Sequence, residues 1–208
     1  MVYINRTQYK MKIYQLNQNN LAQIAYKIAL FLRSGAVVVI PTETCYGLAV
    51  DFNNAEALER LYRLKQRPND LKLPICVPDV KTAKNYASID KKVESWLEKH
   101  LPNSFTLIVN SKADFILKYS DIGFRFSNNI FVNQLSQEMG AFALTSANVS
   151  GYPETYNLRD LEAQFAGKIF QPDIFVNIGD LVRVPPTTII DYKTKKPKII
   201  RQGLFEIK

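Results

Sequence analysis

The sequence predicts one α/β (α+β) domain in which helices flank a mixed β-sheet. Three observations lead to this class: helical periodicity alternates with short β-branched runs early in the chain, strands cluster late in the chain, and 208 residues suit a single core. Apolar residues make up 47% and charged residues 22% of the chain, as in ordinary globular domains, which excludes disorder as the main theme. We therefore treat residues 1–208 as one domain.

The first helix is predicted from the spacing of its apolar residues. Positions 21, 24, 25, 28 and 32 are all apolar and recur at helical spacing. Asn20 is the expected N-cap, with Gln23 three residues later as in a capping box, and Gly35 is expected to end the helix.

The remaining elements follow from the same rules. A helix capped by Asn54 and stopped by Pro68 is expected over residues 55–65. Further helices are expected at 81–86, 91–100, 130–139 and 158–166. Strands are expected at 36–40, 48–52, 73–77, 105–110, 123–126, 141–144, 174–178, 188–191 and 198–201. The polar loop PTETCYG joins the first two of these strands.

The charge of the chain predicts an anionic partner. Lys and Arg number 27 against 19 Asp and Glu, a formal net charge of +8. Residues 1–50 hold five basic and one acidic side chain and residues 191–208 hold six and two, so the excess lies at the two ends. The basic tail is interpreted first as a solvated strand end and second as a nucleic-acid contact; its lysines are Lys193, Lys195, Lys196 and Lys198.

Cysteine and histidine usage narrows the chemistry. Cys45 and Cys76 each lie in an apolar stretch without paired spacing, which excludes a disulfide scaffold and a zinc knuckle. The single histidine, His100, stands in a charged stretch and is expected at the surface. Residues 1–15 are polar and no apolar run reaches the length of a membrane span, so we expect a cytoplasmic protein without a membrane partner.

No glycine-rich phosphate loop is present, so any phosphate must be held by side chains or helix ends. Four cations lie on and just beyond the predicted helix over 55–65, and the last two could converge on one anion: Arg60, Arg63, Lys65 and Arg67. Taken alone, the favoured interpretation is that they complement the helix dipole.

Three further segments carry small polar groups at strand ends. Ser146 and Asn148 alternate within TSANVSG, so in an extended segment they would present a hydroxyl and an amide together. The alternative for that segment is ordinary turn chemistry. The segments PPTTIID and IIRQG are each also compatible with plain strand ends.

Considered together, these segments point to a family. The ordered motifs PTETCYGL, LKQRP, GFRF, TSANVSG, PPTTIID and IIRQG resemble those of the YrdC-type family, the threonylcarbamoyl-AMP synthases, over about residues 18–201. The resemblance implies a single YrdC-like domain with a twisted mixed sheet and a basic concave face. It also implies a nucleotidyltransferase that joins L-threonine, bicarbonate or CO₂, and ATP into threonylcarbamoyl-adenylate and releases pyrophosphate.

The resemblance implies partners beyond the substrates. A separate threonylcarbamoyl-transferase complex would use the adenylate to modify tRNA beside the anticodon, and direct contact with tRNA is left open. Mg²⁺ would enter with the phosphates of ATP. The alternative from another class is a non-catalytic module that binds tRNA or double-stranded RNA on the same basic face. Catalysis is favoured because the matched polar residues define a compact pocket.

The resemblance also assigns residue roles. L-Threonine would be bound by Thr44, Arg125 and Thr187. ATP would be bound by Lys65, Arg67, Ser146, Asn148 and Arg201. Lys65 and Arg67 would give electrostatic support and face solvent until ATP binds, and Tyr46 would line the pocket. The catalytic base is left unassigned.

Three short segments depart from the family pattern. Leu71-Lys72-Leu73 replaces the usual Lys-Pro-Leu, and Ser127-Asn128-Asn129 replaces the usual Pro-Asp-His. The turn over 102–106 lacks the usual Pro-Gly-Pro. None of these changes falls on a residue with an assigned role, so we expect an active enzyme.

Overall fold

A computed structural model describes residues 11–68, 71–194 and 196–207. Lys195 and the first ten residues of the polar N-terminal segment lie outside the described residues. The helices are α1 (Leu21–Arg33), α2 (Ala55–Lys65), α3 (Val80–Ala83), α4 (Lys91–His100), α5 (Ile130–Met139) and α6 (Leu158–Phe165). The strands are β1 (Lys12–Gln15), β2 (Val38–Pro41), β3 (Tyr46–Val50), β4 (Ile75–Cys76), β5 (Phe105–Asn110), β6 (Asp121–Phe126), β7 (Phe142–Ser146), β8 (Ile174–Asn177), β9 (Thr188–Asp191) and β10 (Lys198–Arg201).

All ten strands form one mixed sheet, as predicted. Their order is β1-β8-β2-β3-β7-β4-β6-β5-β9-β10. The pairs β1–β8, β8–β2, β4–β6 and β5–β9 are parallel and the other neighbours are antiparallel. Within the described ranges, no helix combines the length and apolar character needed to cross a bilayer.

Helices cover both faces of the sheet. On one face α1 and α5 pack against residues of β2 and β7 such as Ile40 and Leu144. On the other face α2, α4 and α6 contribute Leu61, Leu97 and Leu161 to a second apolar cluster. The alternation of side chains along each strand explains the two clusters, since neighbouring residues point to opposite faces.

The helix predictions are confirmed in position, with two corrections in detail. The Asn54 side chain accepts a hydrogen bond from Ala57 N at 3.0 Å and so caps α2 as expected. The capping box at α1 is wrong, because the Asn20 side chain instead bonds the backbone of Asn17 and Gln15. The helix predicted at 81–86 is the short α3, whose N-cap is Asp79.

The strand predictions did not include one edge strand of the sheet, and the bounds of some other strands differ from those predicted. Strand β1 was not expected, because its polar sequence KIYQ has three exposed residues and lies at the edge of the sheet. Strand β3 begins at Tyr46, two residues early, because Tyr46 pairs with Pro41 of β2. Only two residues of the stretch expected at 73–77 pair as β4.

The structure corrects the expectation for the single histidine. His100 is only 8% exposed: its ring stacks on Trp96 and its Nδ1 donates to the Trp96 carbonyl oxygen at 2.6 Å, so the prediction of a surface histidine is wrong. Cys45 and Cys76 are both free and buried. In the basic tail, Lys193 pairs with Asp121 and Asp191, while Lys196 and Lys198 are exposed.

Candidate active site

Side chains along β5 and β6 alternate between the two faces of the sheet, and one of these faces carries a cavity. Phe105 and Phe124 belong to the apolar core, whereas Thr106, Gly123 and Arg125 point to the opposite face. A cavity of about 410 Å³ lies on that face. It is lined by Thr44, Cys45, Arg67, Lys72, Leu73, Pro74, Thr106, Ile108, Asp121, Gly123, Arg125, Leu144, Thr145, Ser146, Glu154, Tyr156, Val184, Pro186, Thr187, Ile189 and Arg201.

Six of the eight residues with predicted roles therefore meet at one cavity. They are Thr44, Arg67, Arg125, Ser146, Thr187 and Arg201. Lys65 and Asn148 are not in the cavity lining; they lie behind it, in contact with Ser146. Tyr46 does not line the cavity either, because its hydroxyl donates to Gly179 O at 2.8 Å and its ring packs on Phe175. The expectation for Tyr46 is wrong.

The loop between β2 and β3 brings Thr44 to the cavity. The hydroxyl of Thr42 donates to Cys45 O at 2.7 Å and accepts from Thr44 N at 3.2 Å, which closes a tight buried turn. A Cβ at Gly47 would lie 2.8 Å from Leu144 Cδ1 and 3.2 Å from Thr145 O, so glycine lets the strand after the loop pack closely on β7 without a shift of these neighbours.

Arg125 is held by the same loop. Its Nη2 donates to Glu43 Oε1 at 2.8 Å and lies 3.3 Å from the hydroxyl of Thr44, and its side chain is 11% exposed. The hydroxyl of Ser127 donates to Glu43 Oε2 at 2.6 Å. Arg125 Nε is buried and has no hydrogen-bond partner among the described residues. One nitrogen of the guanidinium is thus anchored at the cavity that Arg125 lines.

Lys65 is buried, so the prediction that it faces solvent is wrong. Only 2% of the residue is exposed, and Nζ donates to Ser146 O at 2.6 Å, Asn148 O at 2.8 Å and Asn148 Oδ1 at 3.3 Å. Burial, together with the charge of Arg67, lowers the pKa of Lys65 from 10.5 to about 8. The three acceptors satisfy all three donors of the ammonium group.

Arg67 turns the other way from Lys65. Gln66, which ends α2, has the left-handed φ of 50°, so the chain reverses direction between the two cations. Arg67 lines the cavity, and its Nη2 donates to Lys72 O at 2.9 Å. Its Nε is buried without a partner among the described residues. Of the two cations, Arg67 lines the cavity, whereas Lys65 donates to acceptors within the protein.

Ser146 and Asn148 face each other, as their alternate positions predicted. Ser146 Oγ donates to Asn148 Oδ1 at 2.6 Å. The amide nitrogen of Asn148 donates to Tyr152 O at 2.6 Å, so this side chain also performs the turn chemistry that was the alternative interpretation. Ser146 reaches the cavity, and Asn148 stabilises the loop behind it.

The last two motifs are joined directly. Arg201 Nε and Nη2 donate to Thr187 O at 3.2 and 2.8 Å. A Cβ at Gly203 would lie 1.9 Å from Pro186 O, so the close approach of the two segments requires glycine there. Burial, followed by the charge of Arg125, lowers the pKa of Arg201. Thr187 and Arg201 are thereby placed side by side at the cavity.

Four polar or charged residues of the cavity lining were not assigned a role from the sequence: Lys72, Asp121, Glu154 and Tyr156. Lys72 Nζ forms an ion pair with Asp121 Oδ1 at 2.8 Å. Glu43, which neutralises Arg125, was also missed, although it lies inside the PTETCYG motif. Glu154 follows TSANVSG by three residues, and its place at the cavity carried no signal in the sequence.

The lining has more positive than negative charge. It includes four cations, Arg67, Lys72, Arg125 and Arg201, against two carboxylates, Asp121 and Glu154. Within residues 11–68, 71–194 and 196–207, no group of three or more His, Cys, Asp or Glu could hold a metal ion. The cavity is therefore suited to an anionic ligand.

Comparison with known proteins gives the family. Residues 30–203 match the family model of the Sua5/YciO/YrdC domain, which is described as telomere recombination. The chain belongs to this family.

Two curated relatives are similar over nearly their whole length. The threonylcarbamoyl-AMP synthase of Vibrio vulnificus is 30% identical over 180 residues, which cover 83% of this chain and 94% of that protein. A putative threonylcarbamoyl-AMP synthase of Methanocaldococcus jannaschii is 27% identical over 199 residues, 95% of this chain and 94% of that protein.

Solved structures share the fold. E. coli YciO superposes with a TM-score of 0.81 at 21% identity and covers 96% of this chain and 98% of its own. P. abyssi Sua5 complexed with L-threonine gives a TM-score of 0.79 at 22% identity, with 93% of this chain and 57% of that longer chain covered. The predicted YrdC-like α/β fold is confirmed.

Proposed function

We propose that this member of the Sua5/YciO/YrdC family is a threonylcarbamoyl-AMP synthase. It joins L-threonine, bicarbonate or dissolved CO₂, and ATP into threonylcarbamoyl-adenylate and releases pyrophosphate. The observation that carries the proposal is that residues assigned to threonine and residues assigned to ATP line one cavity. Thr44, Arg125 and Thr187 share it with Arg67, Ser146 and Arg201. The names of the curated relatives support the same activity.

Arg125 provides the binding site for the threonine carboxylate. Its guanidinium is already oriented through Nη2 by Glu43, and Arg125 lines the cavity, so the rest of the donor fork is left to a carboxylate bound there. The hydroxyl of Thr44 lies 3.3 Å from the same guanidinium. Thr187, which is 3% exposed, lines the cavity directly before β9.

The triphosphate would lie against Arg67 and Arg201. Arg67 and Arg201 both line the cavity, and the guanidinium of Arg201 lies beside Thr187. Cations fixed in a partly dry cleft stabilise the charge that develops when the N-carboxylate of threonine attacks the α-phosphorus. Lys65 and Asn148 support this site from behind through Ser146.

No covalent enzyme intermediate is required. Cys45 lines the cavity, but burial raises the pKa of its thiol, and a protonated thiol is a poor nucleophile. The reaction then depends on positioning the two substrates and on electrostatic stabilisation.

Mg²⁺ is proposed to enter with ATP. The described residues offer no acidic cluster for it, and Asp121 is already paired with Lys72. Phosphate oxygens and water would therefore supply most of its ligands, as Mg²⁺ prefers. Among the residues assigned to ATP at the cavity, Ser146 has a hydroxyl oxygen that could serve as a neutral ligand to Mg²⁺.

The setting of the reaction is also part of the proposal. The adenylate would be consumed by a threonylcarbamoyl-transferase complex acting on tRNA. We place the enzyme in the cytoplasm, because its two buried cysteines are free, as is usual in a reducing compartment.

Pyrophosphate release tests the function. Purified protein is incubated with ATP, Mg²⁺, L-threonine and ¹³C-bicarbonate, and the adenylate is followed by mass spectrometry. We expect pyrophosphate that requires both threonine and bicarbonate, with the label in the product. Salt-sensitive RNA binding without threonine-dependent pyrophosphate would instead support the RNA-binding module and overturn the proposal.

A further inference from the structure

Glu154 is a carboxylate at the cavity that no described residue neutralises. The other acidic residue of the lining, Asp121, accepts from Lys72 at 2.8 Å and from Lys193 at 3.3 Å. Glu154 makes no hydrogen bond or ion pair with any part of the chain that the structure describes, although Arg67 and Arg201 line the same cavity. An exposed carboxylate without a partner is available to a ligand.

The backbone on both sides of Glu154 is fixed. Tyr46 N donates to Thr155 O at 2.9 Å, and the fully buried Thr155 donates through its hydroxyl to Ala147 O at 2.8 Å. On the other side, Gln164 Nε2 donates to Pro153 O at 2.8 Å. The backbone that carries Glu154 is therefore held where the chain passes beside β3.

The charge of Glu154 acts on several groups at or beside the cavity, namely Cys45, Lys65 and Arg201. The charge of Glu154 acts to raise the pKa of Cys45, while that of Arg125 acts to lower it, although burial is the main reason that this pKa is raised. Both charges also act on Arg201, again in opposite directions. Glu154 and Arg125 therefore bear on the same part of the cavity with opposite charge.

An amino acid needs both charges. L-Threonine is a zwitterion whose carboxylate and ammonium groups are attached to one carbon, and a site that pairs the carboxylate with arginine leaves the ammonium to be neutralised. Glu43 does not line the cavity, and its charge is already paired with Arg125. Glu154 is the lining carboxylate that is free to do so within the described residues.

We propose that Glu154 binds the ammonium group of L-threonine and accepts the proton that this group loses before N-carboxylation. This inference rests on the proposed function. An N–H bond of the ammonium breaks and the proton passes to a Glu154 carboxylate oxygen. The freed lone pair forms the N–C bond with CO₂, and the second proton lost from nitrogen goes to water, which leaves the N-carboxylate. No oxidant or reductant takes part.

The test compares Glu154→Gln and Glu154→Asp with a matched control, Glu162→Gln. Glu162 is an exposed glutamate of α6 that does not line the cavity. Two ligands are used: L-threonine, and (R)-3-hydroxybutyrate, which keeps the carboxylate and hydroxyl but lacks the ammonium. Binding is measured by calorimetry without ATP, and turnover is measured by pyrophosphate release.

We expect Glu154→Gln to weaken threonine binding about tenfold and to leave 3-hydroxybutyrate binding and the KM for ATP unchanged. We expect its kcat to fall by roughly a hundredfold or more, because an amide cannot accept the proton. Glu154→Asp should restore most of the threonine affinity, and Glu162→Gln should match wild type in every measurement.

Two results would overturn the inference while leaving the proposed function in place. The first is wild-type kcat and threonine KM in Glu154→Gln. The second is an equal loss of threonine and 3-hydroxybutyrate binding, which would show a distorted pocket and no ammonium recognition. If wild type itself releases no threonine-dependent pyrophosphate, the proposed function fails, and this inference fails with it.

Discussion

Lys65 Nζ lies 2.6 Å from the carbonyl oxygen of Ser146, which ties the C-terminal end of α2 to the end of β7. The same ammonium also donates to the main chain and side chain of Asn148. This lysine, which was assigned to ATP, thus donates its hydrogen bonds to acceptors within the protein. Its removal should affect the shape of the site and the stability of the fold as well as catalysis.

We expect Lys65→Met to lower the free energy of unfolding by about 2 kcal/mol at pH 7, because three buried oxygens lose their donors while the apolar stem is kept. Urea denaturation measures this change. Lys27→Met, at an exposed position of α1, is the control and should change stability little. Unchanged stability of Lys65→Met would show that the three hydrogen bonds contribute nothing net.

The lowered pKa of Lys65 predicts a pH dependence. Because the pKa is about 8 in the folded chain and near 10.5 in the unfolded chain, the unfolded chain binds more protons between those values. The contribution of Lys65 to the free energy of unfolding is therefore flat below about pH 8 and rises with pH from there to about pH 10.5. The difference between wild type and Lys65→Met should grow by about 2 kcal/mol from pH 7 to pH 9.5. An NMR titration of the Lys65 Cε signal, with a midpoint near pH 8, checks the assignment.

Arg67 and Arg63 form a matched pair for testing ATP binding. Arg67 lines the cavity, whereas Arg63 is 57% exposed on α2 and paired with Glu59. We expect Arg67→Ala to raise the KM for ATP about tenfold or more, because a charge-assisted contact to phosphate is lost, and to leave the threonine affinity nearly unchanged. Arg63→Ala should behave as wild type. Equal ATP kinetics in the two variants would remove Arg67 from the nucleotide site.

Arg125→Lys tests the carboxylate site. A lysine keeps the charge but cannot hold Glu43 with one nitrogen and offer a second donor to a substrate carboxylate. We expect the affinity for threonine to fall about tenfold or more while the affinity for ATP changes little, as measured by calorimetry with each substrate. Equal losses for the two substrates would argue against the carboxylate role.

Gly203→Ala should disrupt the contact between the last two motifs. The new Cβ would lie 1.9 Å from Pro186 O, so we expect a loss of about 3 kcal/mol in stability together with displacement of Arg201. The control is Gly167→Ala, where φ is +72° and no atom lies within 4 Å of the position that the new methyl group would take. There only the left-handed backbone conformation is penalised, by about 1 kcal/mol. Thermal unfolding and pyrophosphate assays of both variants test this prediction. An equal loss of stability in the two variants would show that close packing at Gly203 is unimportant.

Cys45 and Cys76 allow ligand binding to be followed without mutation. Cys45 is 7% exposed and lines the cavity, whereas Cys76 is 1% exposed and burial raises its pKa to about 12. We expect iodoacetamide to modify Cys45 slowly and Cys76 only after unfolding, and ATP with threonine to slow the Cys45 reaction severalfold. Peptide mass spectrometry measures both rates. If the ligands leave the Cys45 rate unchanged, they do not occupy this cavity.

Much of the fold could be predicted because its signals are local. The bounds of α4, α5, β5, β9 and β10 agree with expectation to the residue. The edge strand β1 was not predicted, because its sequence KIYQ lacks the pair of β-branched residues that indicated β10, the equally exposed strand at the other edge. The burial of His100 was also hidden, since it comes from stacking on Trp96 in a helix whose sequence is rich in charged residues.

For the site, the motifs located the segments, and six of the eight assigned residues meet at the cavity. The directions in which the side chains of these segments point were not predicted from the motifs. Lys65 points into the interior, whereas Arg67 lines the cavity. Because α2 ends at Gln66, whose φ is left-handed, helical spacing does not extend to Arg67, and residue type alone does not tell which cation is buried.

The sequence by itself determined the order of helices and strands, the faces that they bury and the motifs that indicate the family, because these depend on periodicity and on residue type along the chain. The tertiary structure alone decided which side chains meet. Strand β5 pairs with β9, which is distant in the chain, and this brings Thr106 to the side of Ile189. Likewise, the backbone contact of Tyr46 with Thr155 places Glu154 at the cavity. Such meetings follow from the order of strands in the sheet, which local periodicity does not encode.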